Sequence, residues 1–195
     1  MKKTYHLILR VLGYKVDLVN IPKIKKYVLV FAPHTSMLDF VIGWMALKSM
    51  GVSTLFLIKN EAFFWPFGSM LKKLGGVPVN RKNASHFYLY AAEIIAEREN
   101  VALLIAPEGT RKRNPKWKKG FYYIAKEADI PVMLGYLDYR SRRGGIGPEF
   151  PLTDNPDHDI VEIKKYYYGM YGRHRGCFDL EDQPYAHSEW LEKAE

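Results

Sequence analysis

The sequence predicts an α/β fold: a single-domain sandwich with a mixed, largely parallel central sheet flanked by helices. Two observations support this prediction. Short apolar runs alternate with segments of helical periodicity, which is the order expected when parallel strands are joined by helical crossovers. In addition, 48% of the 195 residues are hydrophobic, so the chain can bury a sizeable core. No linker or internal repeat divides residues 1–195, which we treat as one domain.

The predicted elements follow in chain order. Residues 2–12 mix aliphatic side chains with cations and predict a helix that either covers the sheet or lies on a membrane surface. Uninterrupted apolar runs predict the strands Val28–Ala32, Thr54–Ile58, Val77–Asn80, Val101–Ala106 and Val132–Leu137. Apolar residues at helical spacing predict the helices Leu38–Ser49, Ser85–Arg98 and Lys119–Ala128.

The last quarter of the chain carries a weaker signal. Residues 144–148 indicate a turn or an irregular strand. Beyond Pro156, apolar spacing predicts a helix that uses Ile160, Ile163, Tyr167, Met170 and Tyr171, and we expect the tyrosines at 166–168 to be packing residues. The domain therefore divides into a motif-bearing core of about residues 25–150 and a C-terminal helical region of about residues 155–195.

Residue types suited to catalysis lie directly after the first predicted strand. Pro33 disfavours helix at Ala32, so His34 is expected on the turn at the C-terminal end of that strand. Reactive groups of open α/β sheets usually occupy such turns. Imidazole can accept a proton near pH 7, and a carboxylate can orient it. Asp39 can provide that carboxylate if the chain folds back at the start of the next helix.

The same segment has a purely structural interpretation. Ser36 is a favourable N-cap with Asp39 at the third helical position, which is typical of a capping box. The helix dipole also favours a carboxylate there. Capping explains Asp39 but not His34, and the pair by itself leaves both interpretations open.

A second motif follows the strand predicted at Val101–Ala106. The run Pro-Glu-Gly-Thr-Arg begins at Pro107. Gly109 permits a tight turn, and the backbone N–H groups and Thr110 can donate hydrogen bonds. Arg111 offers a planar fork for phosphate. These residues predict an anion-binding cradle.

The segments from His34 to Asp39 and from Pro107 to Arg111 together resemble the glycerolipid acyltransferase family, whose best-known members are the 1-acylglycerol-3-phosphate acyltransferases. Two weaker blocks, residues 75–81 and 130–134, occur in the family's order. The resemblance implies transfer of a fatty acyl group from acyl-CoA or acyl carrier protein to the hydroxyl of a lysophospholipid, in phospholipid biosynthesis. It implies neither a cofactor nor a metal.

The resemblance also implies roles for individual residues. His34 is the expected general base and Asp39 the residue that orients it. The residues implied in binding the acceptor headgroup are Arg81, Glu108, Gly109, Thr110 and Arg111.

Three positions depart from the family's pattern. Pro33 stands where asparagine commonly precedes the histidine, Ala106 where an aromatic residue precedes the second motif, and Asn80 where aspartate precedes Arg81. These departures leave open a lyso-aminolipid or another lyso-lipid as acceptor, and a catalytically inactive lipid-binding module.

Two other chemistries lack residues that they need. A serine hydrolase would use Ser36, but the neighbouring residues are not the glycines of a nucleophile elbow. A metal site would need a third ligand beside His34 and Asp39, and no ligand-spaced cluster supplies one, although Glu108 remains a candidate.

The net charge of +8 is concentrated locally, because residues 111–119 contain six basic residues and no acidic one. Nucleic acid is a common partner of basic patches, but no nucleic-acid recognition motif accompanies this one. We expect anionic lipid headgroups or coenzyme A phosphates as partners, with a merely solvated loop as the alternative. The aromatic run Phe63–Phe67, with lysines on both sides, is typical of residues at the headgroup level of a membrane.

Features of targeting and redox state predict the location. No stretch reaches the roughly 18 uninterrupted apolar residues of a membrane-spanning helix. The N-terminus has no clear signal-peptide cleavage site. The single cysteine, Cys177, is compatible with a reducing compartment. We therefore expect a cytoplasmic protein that associates peripherally with a membrane.

Overall fold

The computed structural model describes residues 2–17, 23–65, 67–79 and 84–180. Within these ranges one sheet contains the strands β1 (Lys15–Asp17), β2 (Lys26–Ala32), β3 (Thr54–Lys59), β4 (Gly76–Val79), β5 (Val101–Ile105), β6 (Val132–Asp138) and β7 (Arg143–Phe150). Their order across the sheet is β1-β7-β6-β2-β5-β3-β4. β2 to β6 are all parallel to one another, whereas β7 runs antiparallel to β6 and β1 runs parallel to β7. The predicted mixed, largely parallel sheet is confirmed.

Helices cover both faces of this sheet. They are α1 (Lys2–Val11), α2 (Met37–Met50), α3 (Phe67–Lys73), α4 (Ala84–Ala96), α5 (Gly120–Ala128) and α6 (Pro156–Tyr166), with a short 3₁₀ turn at Asn60–Ala62. α1 and α2 pack on one face, and α4, α5 and α6 pack on the other. None of the helices in the described ranges is long and apolar enough to cross a bilayer.

The central strand β2 shows why the predicted strands have uninterrupted apolar runs. Val28, Val30 and Ala32 belong to the core under α4 to α6. Leu29 and Phe31 belong to the clusters under α1 and α2. Side chains of a strand alternate between faces, so a strand covered on both sides must be apolar at every position.

The five predicted strands and the three predicted helices of the motif-bearing core are all present, with ends that differ by a few residues. The sequence did not predict β1 and α3, which are only 3 and 7 residues long. Residues 144–148, predicted as a turn or an irregular strand, form part of strand β7, whose pairing with β6 has a register shift between Met133 and Gly135. Asn80, at the end of one predicted strand, lies outside the described residues.

The helix predicted after Pro156 is shorter than expected. Its start follows the sequence closely, because the Asn155 side chain accepts the backbone N–H groups of Asp157 and His158 and Pro156 occupies the first turn. It ends at Tyr166, so Met170 and Tyr171 lie beyond it. Residues 181–195 of the expected helical region lie outside the described residues.

The N-terminal helix covers the sheet, as the first of its two interpretations predicts. Leu9 is fully buried in a cluster with Phe31 of the sheet and Ile42 of α2, so the helix covers this face. Leu7 and Val11 remain exposed on its outer side.

Candidate active site

The site residues converge because of the strand order. Parallel strands end at the same edge of a sheet, and β5 and β6 are the two neighbours of β2. The turn after β2 carries His34, the loop after β5 carries Glu108 to Arg111, and Tyr139 follows β6. We call this edge, at the C-terminal ends of β2 to β6, the catalytic edge.

His34 and Asp39 contact each other at this edge. The chain leaves β2 through a cis peptide bond between Ala32 and Pro33. His34 Nδ1 then lies 3.5 Å from Asp39 Oδ2, with the His34 side chain 24% exposed and that of Asp39 fully buried. Contact through Nδ1 leaves Nε2 as the ring nitrogen that can exchange a proton with a substrate.

Asp39 also caps α2, so the structural and catalytic interpretations are compatible. Its Oδ2 accepts the backbone N–H groups of Thr35 and Ser36, both at 2.6 Å, and Ser36 completes a capping box. Burial by itself would raise the pKa of Asp39. Hydrogen bonds from His34, from Tyr139 and from the two backbone groups outweigh burial, so the pKa of this carboxyl lies below its ordinary value.

Tyr139 is a site residue that the sequence interpretation missed. Its hydroxyl donates a 2.6 Å hydrogen bond to Asp39 Oδ1, the oxygen that does not serve the cap. Burial and the Asp39 carboxylate raise the pKa of Tyr139, so the phenol keeps its proton and stays a donor. A signal was present, because Tyr139 follows a predicted strand as closely as His34 does.

Glu108 lies beneath the turn that carries His34. The side chain is buried, and its Oε1 accepts the backbone N–H of His34 at 2.8 Å. Burial raises the pKa of Glu108 well above its ordinary value, although the His34 N–H opposes this shift. The charge of Asp39 adds to the rise. The glutamate of the second motif therefore fixes the position of the first motif.

The remainder of the second motif forms an ordered, exposed loop. Gly109 adopts a positive φ of 67°, and a side chain there would collide with Lys118. The loop closes where the backbone N–H of Lys118 donates to the carbonyl of Pro107 at 2.7 Å. Thr110 Oγ1 accepts the N–H of Lys112, and the Arg111 side chain is exposed. Arg81, the other cation expected at the headgroup, lies outside the described residues.

A C-terminal strap, which we define as residues 167–180, packs over the turn that carries His34 and Thr35, which we call the catalytic turn. The backbone N–H of Tyr171 donates to Asp138 Oδ1, and its carbonyl accepts the N–H of Tyr139, both at 2.9 Å. The N–H of His174 donates to Thr35 Oγ1 at 3.3 Å. Sequence reasoning missed this segment, since an irregular segment has no periodicity to reveal what it contacts.

Backbone donors near His34 are already engaged. The N–H groups of His34, Thr35 and Ser36 donate to Glu108 and Asp39, so they are not available to a developing oxyanion. The N-terminus of α2 nevertheless points its positive dipole end at the site. No group of three or more histidine, cysteine or acidic side chains within the described ranges is arranged to bind a metal ion.

Comparison with known proteins identifies similar sequences. A family model described as Acyltransferase matches residues 15–133. A 1-acyl-sn-glycerol-3-phosphate acyltransferase of Limnanthes douglasii is 27% identical over 135 residues, which is 65% of this chain and 46% of that protein. One from Cocos nucifera is 30% identical over 107 residues, or 51% of this chain and 33% of that protein.

A human relative, the beta form of 1-acyl-sn-glycerol-3-phosphate acyltransferase, is 32% identical over 106 residues. That alignment covers 51% of this chain and 37% of the human protein. The chain thus spans less than half the length of each of these three relatives. No solved structure matches it.

Proposed function

Because this chain belongs to the acyltransferase family, we propose that it transfers a fatty acyl group from a thioester to the hydroxyl of a lysophospholipid such as 1-acylglycerol-3-phosphate. The observation that carries the proposal is the contact between His34 and the buried Asp39 at the catalytic edge. A histidine held by a carboxylate can act as a general base, and this one remains partly open to solvent.

The proposed reaction is direct transfer without a covalent enzyme intermediate. His34 Nε2 takes the proton from the acceptor hydroxyl as the hydroxyl oxygen attacks the thioester carbonyl carbon. The new C–O bond forms, the C–S bond breaks, and the departing thiolate takes the proton back from the imidazolium. Asp39 orients the ring and offsets its transient positive charge, and the dipole of α2 favours negative charge on the carbonyl oxygen.

We propose that the acceptor headgroup binds on the β5 side of His34. The exposed guanidinium of Arg111 can form a bidentate contact with phosphate, and Gly109 and Thr110 shape the loop that presents it. Arg81 is the second proposed headgroup ligand. Glu108 takes part by fixing the His34 backbone, since its buried carboxyl faces that turn.

The proposal also concerns the identity of the acceptor lipid and of the acyl donor. A panel of lysophosphatidic acid, other lysophospholipids and lyso-aminolipids, each offered with acyl-CoA and with acyl carrier protein as donor, tests both at once. Product mass spectrometry identifies the acylated lipid. Turnover with one acceptor supports the enzyme assignment and names the substrate. Lyso-lipid binding without turnover would instead indicate a non-catalytic lipid-binding module.

We further propose that the chain works in the cytoplasm as a peripheral enzyme on an anionic membrane surface. Exposed apolar side chains surround the catalytic edge: Val11 and Leu12 at the end of α1, Met37, Leu38 and Val41 at the start of α2, and Phe64 and Trp65 after β3. Trp65 is 91% exposed. The basic loop at residues 111–119 lies at the same edge, and each of its cations near an anionic surface contributes up to about 1 kcal/mol.

Co-sedimentation with liposomes tests the membrane proposal. We expect binding to vesicles that contain phosphatidylserine or phosphatidylglycerol, weaker binding at high salt, and a further loss in the Phe64→Ser/Trp65→Ser variant. Leu89→Ser, which removes an exposed apolar side chain from α4, is the matched control and should sediment like the wild type. A wild-type protein that stays in the supernatant at low salt would rule out this surface as a membrane contact.

A further inference from the structure

The C-terminal strap places a short basic sequence next to the catalytic turn. Arg173, His174 and Arg175 follow one another there, and the family match ends 40 residues earlier, at residue 133. We propose that Arg173 and His174 form a second anion-binding site, which takes a phosphate group of the acyl donor. This proposal rests on the acyl transfer proposed above.

The backbone contacts fix where these side chains leave the strap. Gly172 packs so closely on Thr35 that a Cβ at this position would overlap its side chain. The N–H of His174 donates to Thr35 Oγ1. Thr35 follows His34 directly, so the backbone of Arg173 lies between two contacts with the catalytic turn.

The strap is held on both sides of Arg173. Before it, Tyr171 is bonded to Asp138 and to the backbone of Tyr139. After it, Phe178 and Leu180 are buried in the main core, and Asp179 forms a 2.6 Å ion pair with Arg113 of the basic loop. A cation on a segment fixed in this way loses little freedom when it binds an anion.

The side chains of Arg173 and His174 are themselves exposed. Within the described ranges, neither forms a side-chain hydrogen bond or ion pair. The positive charge of Arg173 nevertheless acts on the site. Burial raises the pKa of Tyr139, and the charge of Arg173 partly offsets that rise. The guanidinium is therefore near the Asp39 side of the catalytic edge and available to a ligand.

The position of Arg173 on the strap indicates that the phosphate bound there belongs to the acyl donor and not to the acceptor. Arg111 lies on the β5 side of β2. The strap starts on the opposite side, where Tyr171 is bonded to Asp138 at the end of β6, and it reaches the basic loop only at Asp179. Arg173 therefore lies on the part of the strap between the end of β6 and the turn after β2. Direct transfer requires both substrates at His34 together, so they must occupy different sides of it. With the acceptor headgroup at Arg111, the strap faces the donor. Coenzyme A and acyl carrier protein both present a phosphate attached to pantetheine, which arginine binds well.

A comparison of two donors tests the proposal. Acyl-CoA carries phosphates, whereas the S-acyl-N-acetylcysteamine thioester of the same fatty acid carries none. We expect Arg173→Ala to reduce the preference for acyl-CoA over the truncated thioester, measured as a ratio of kcat/KM values, by about tenfold. Arg173→Lys should keep part of the preference. Lys25→Ala, which removes an exposed charge at the opposite edge of the sheet, is the matched control and should keep all of it.

Acyl carrier protein that carries the same fatty acid is the third donor in this comparison. If Arg173→Ala lowers kcat/KM with both acyl-CoA and acyl carrier protein, the phosphate on pantetheine is the ligand. If it lowers kcat/KM with acyl-CoA alone, the nucleotide phosphates are the ligand. Calorimetric titration of free coenzyme A should show about tenfold weaker binding to Arg173→Ala. An unchanged thermal unfolding midpoint verifies that the exposed substitution leaves the fold intact.

The outcomes separate this site from the proposed function. Acyl transfer by the wild type with an unchanged donor preference in Arg173→Ala would overturn the site and leave the function standing. A raised KM for the acceptor, with no change for the donor, would also overturn it. Coenzyme A binding that depends on Arg173, in a protein that transfers no acyl group, would support the site and refute the function. A wild type that neither transfers acyl groups nor binds coenzyme A would refute both.

Discussion

Among the residues that the structure describes, two histidine–aspartate contacts occur, each at the start of a helix. His34 Nδ1 lies 3.5 Å from Asp39 at the start of α2, and His158 Nδ1 lies 3.6 Å from Asp159 at the start of α6. Both aspartates are fully buried and accept hydrogen bonds, in the second case from the N–H and hydroxyl of Thr153. The two contacts are therefore almost equal in distance and in the burial of the aspartate.

Their surroundings differ. β7 runs antiparallel to β6, so it ends at the edge of the sheet opposite to the catalytic edge, and His158 follows it in the first turn of α6. Its side chain is 58% exposed, against 24% for His34. His34 is also fixed through its backbone by Glu108, which comes from a neighbouring strand. A histidine–aspartate contact at the start of a helix is thus not by itself a sign of catalysis, and the catalytic candidate is the pair that the ends of several strands hold in place.

The largest difference between the two pairs is expected when each histidine is replaced by alanine. His34→Ala should lower kcat by about 10²–10⁴-fold, because it removes the general base. His158→Ala should leave kcat within about twofold, since the exposed ring lies far from the reacting groups. Acyl transfer measured by mass spectrometry and thermal unfolding of both variants check this prediction. Equal activity of the two variants would show that the His34 contact is only a cap.

Replacing each aspartate by asparagine separates the effect of the carboxylate on kcat from its effect on stability. Asp39→Asn should lower kcat by about a hundredfold, because a neutral amide neither orients the ring nor offsets its charge. Asp159→Asn should lower the free energy of unfolding without such a loss in kcat. Steady-state kinetics together with urea unfolding give both numbers for each variant. A large loss of kcat in Asp159→Asn would contradict the distinction between the two pairs.

The Asp39 substitution also predicts a pH dependence. The pKa of Asp39 is lowered on folding, so its contribution to stability is fully present above the unfolded-state pKa of about 4 and is lost as the pH falls through the folded-state pKa. The stability difference between wild type and Asp39→Asn should therefore shrink in acid. Urea unfolding between about pH 6 and 3 measures it, and a constant difference would mean that the charge of Asp39 does not stabilise the fold.

Glu108 has no counterpart at the second pair, and two substitutions show what it does. Glu108→Ala leaves the partly buried N–H of His34 without its acceptor, which should cost about 1–3 kcal/mol of stability and lower kcat through the displaced histidine. Glu108→Gln keeps an oxygen that can accept this N–H, so most of the activity should remain. A kcat for Glu108→Gln as low as that for Glu108→Ala would assign a chemical role to the carboxyl.

The raised pKa of Glu108 gives the opposite pH dependence to that of Asp39. Its contribution is fully present below the unfolded-state pKa of about 4.3 and is lost as the pH rises through the folded-state pKa. Glu108→Gln should therefore gain stability relative to the wild type as the pH rises above about 5. Chemical unfolding at pH 5 and pH 8 checks the sign of this change.

The smallest effect is expected at Tyr139, where the corresponding residue of the second pair is Thr153. Tyr139→Phe removes one hydrogen bond to the Asp39 carboxylate and should reduce kcat by about three- to tenfold. More of the negative charge of Asp39 then acts on the His34 ring. The acidic limb of the pH–rate profile should consequently move to higher pH. A profile that keeps its shape while kcat falls would assign Tyr139 a purely structural role.

Much of the fold and part of the site could be predicted from the sequence. Apolar runs located β2 to β6, because those strands are covered on both faces. The two motifs pointed to the acyltransferase family, and the family match confirms this resemblance. The spacing of Ser36 and Asp39 predicted the capping box that the structure contains. Each of these signals depends on residues that are close in the chain, where side-chain spacing and capping preferences determine the conformation.

Residues that act across the sheet could not be found in this way. Tyr139 reaches Asp39 across 100 positions of the chain, and the strap reaches Thr35 across 139. The sequence also gave Glu108 the same expected role as Arg111, although one side chain is buried under His34 and the other is exposed. Neither the direction in which a loop side chain points nor its distant partners leave a periodic pattern.

By itself, then, the sequence determined the strands β2 to β6, the helices α2, α4 and α5, and the turn that carries His34, because these depend on local periodicity and on residue type. Only the tertiary structure decided that β5 and β6 are the neighbours of β2. That order brings Glu108 and Tyr139 to the turn that carries His34. Strand order depends on which apolar faces pack together in the whole domain, and the free energy of that packing is shared among residues far apart in the chain.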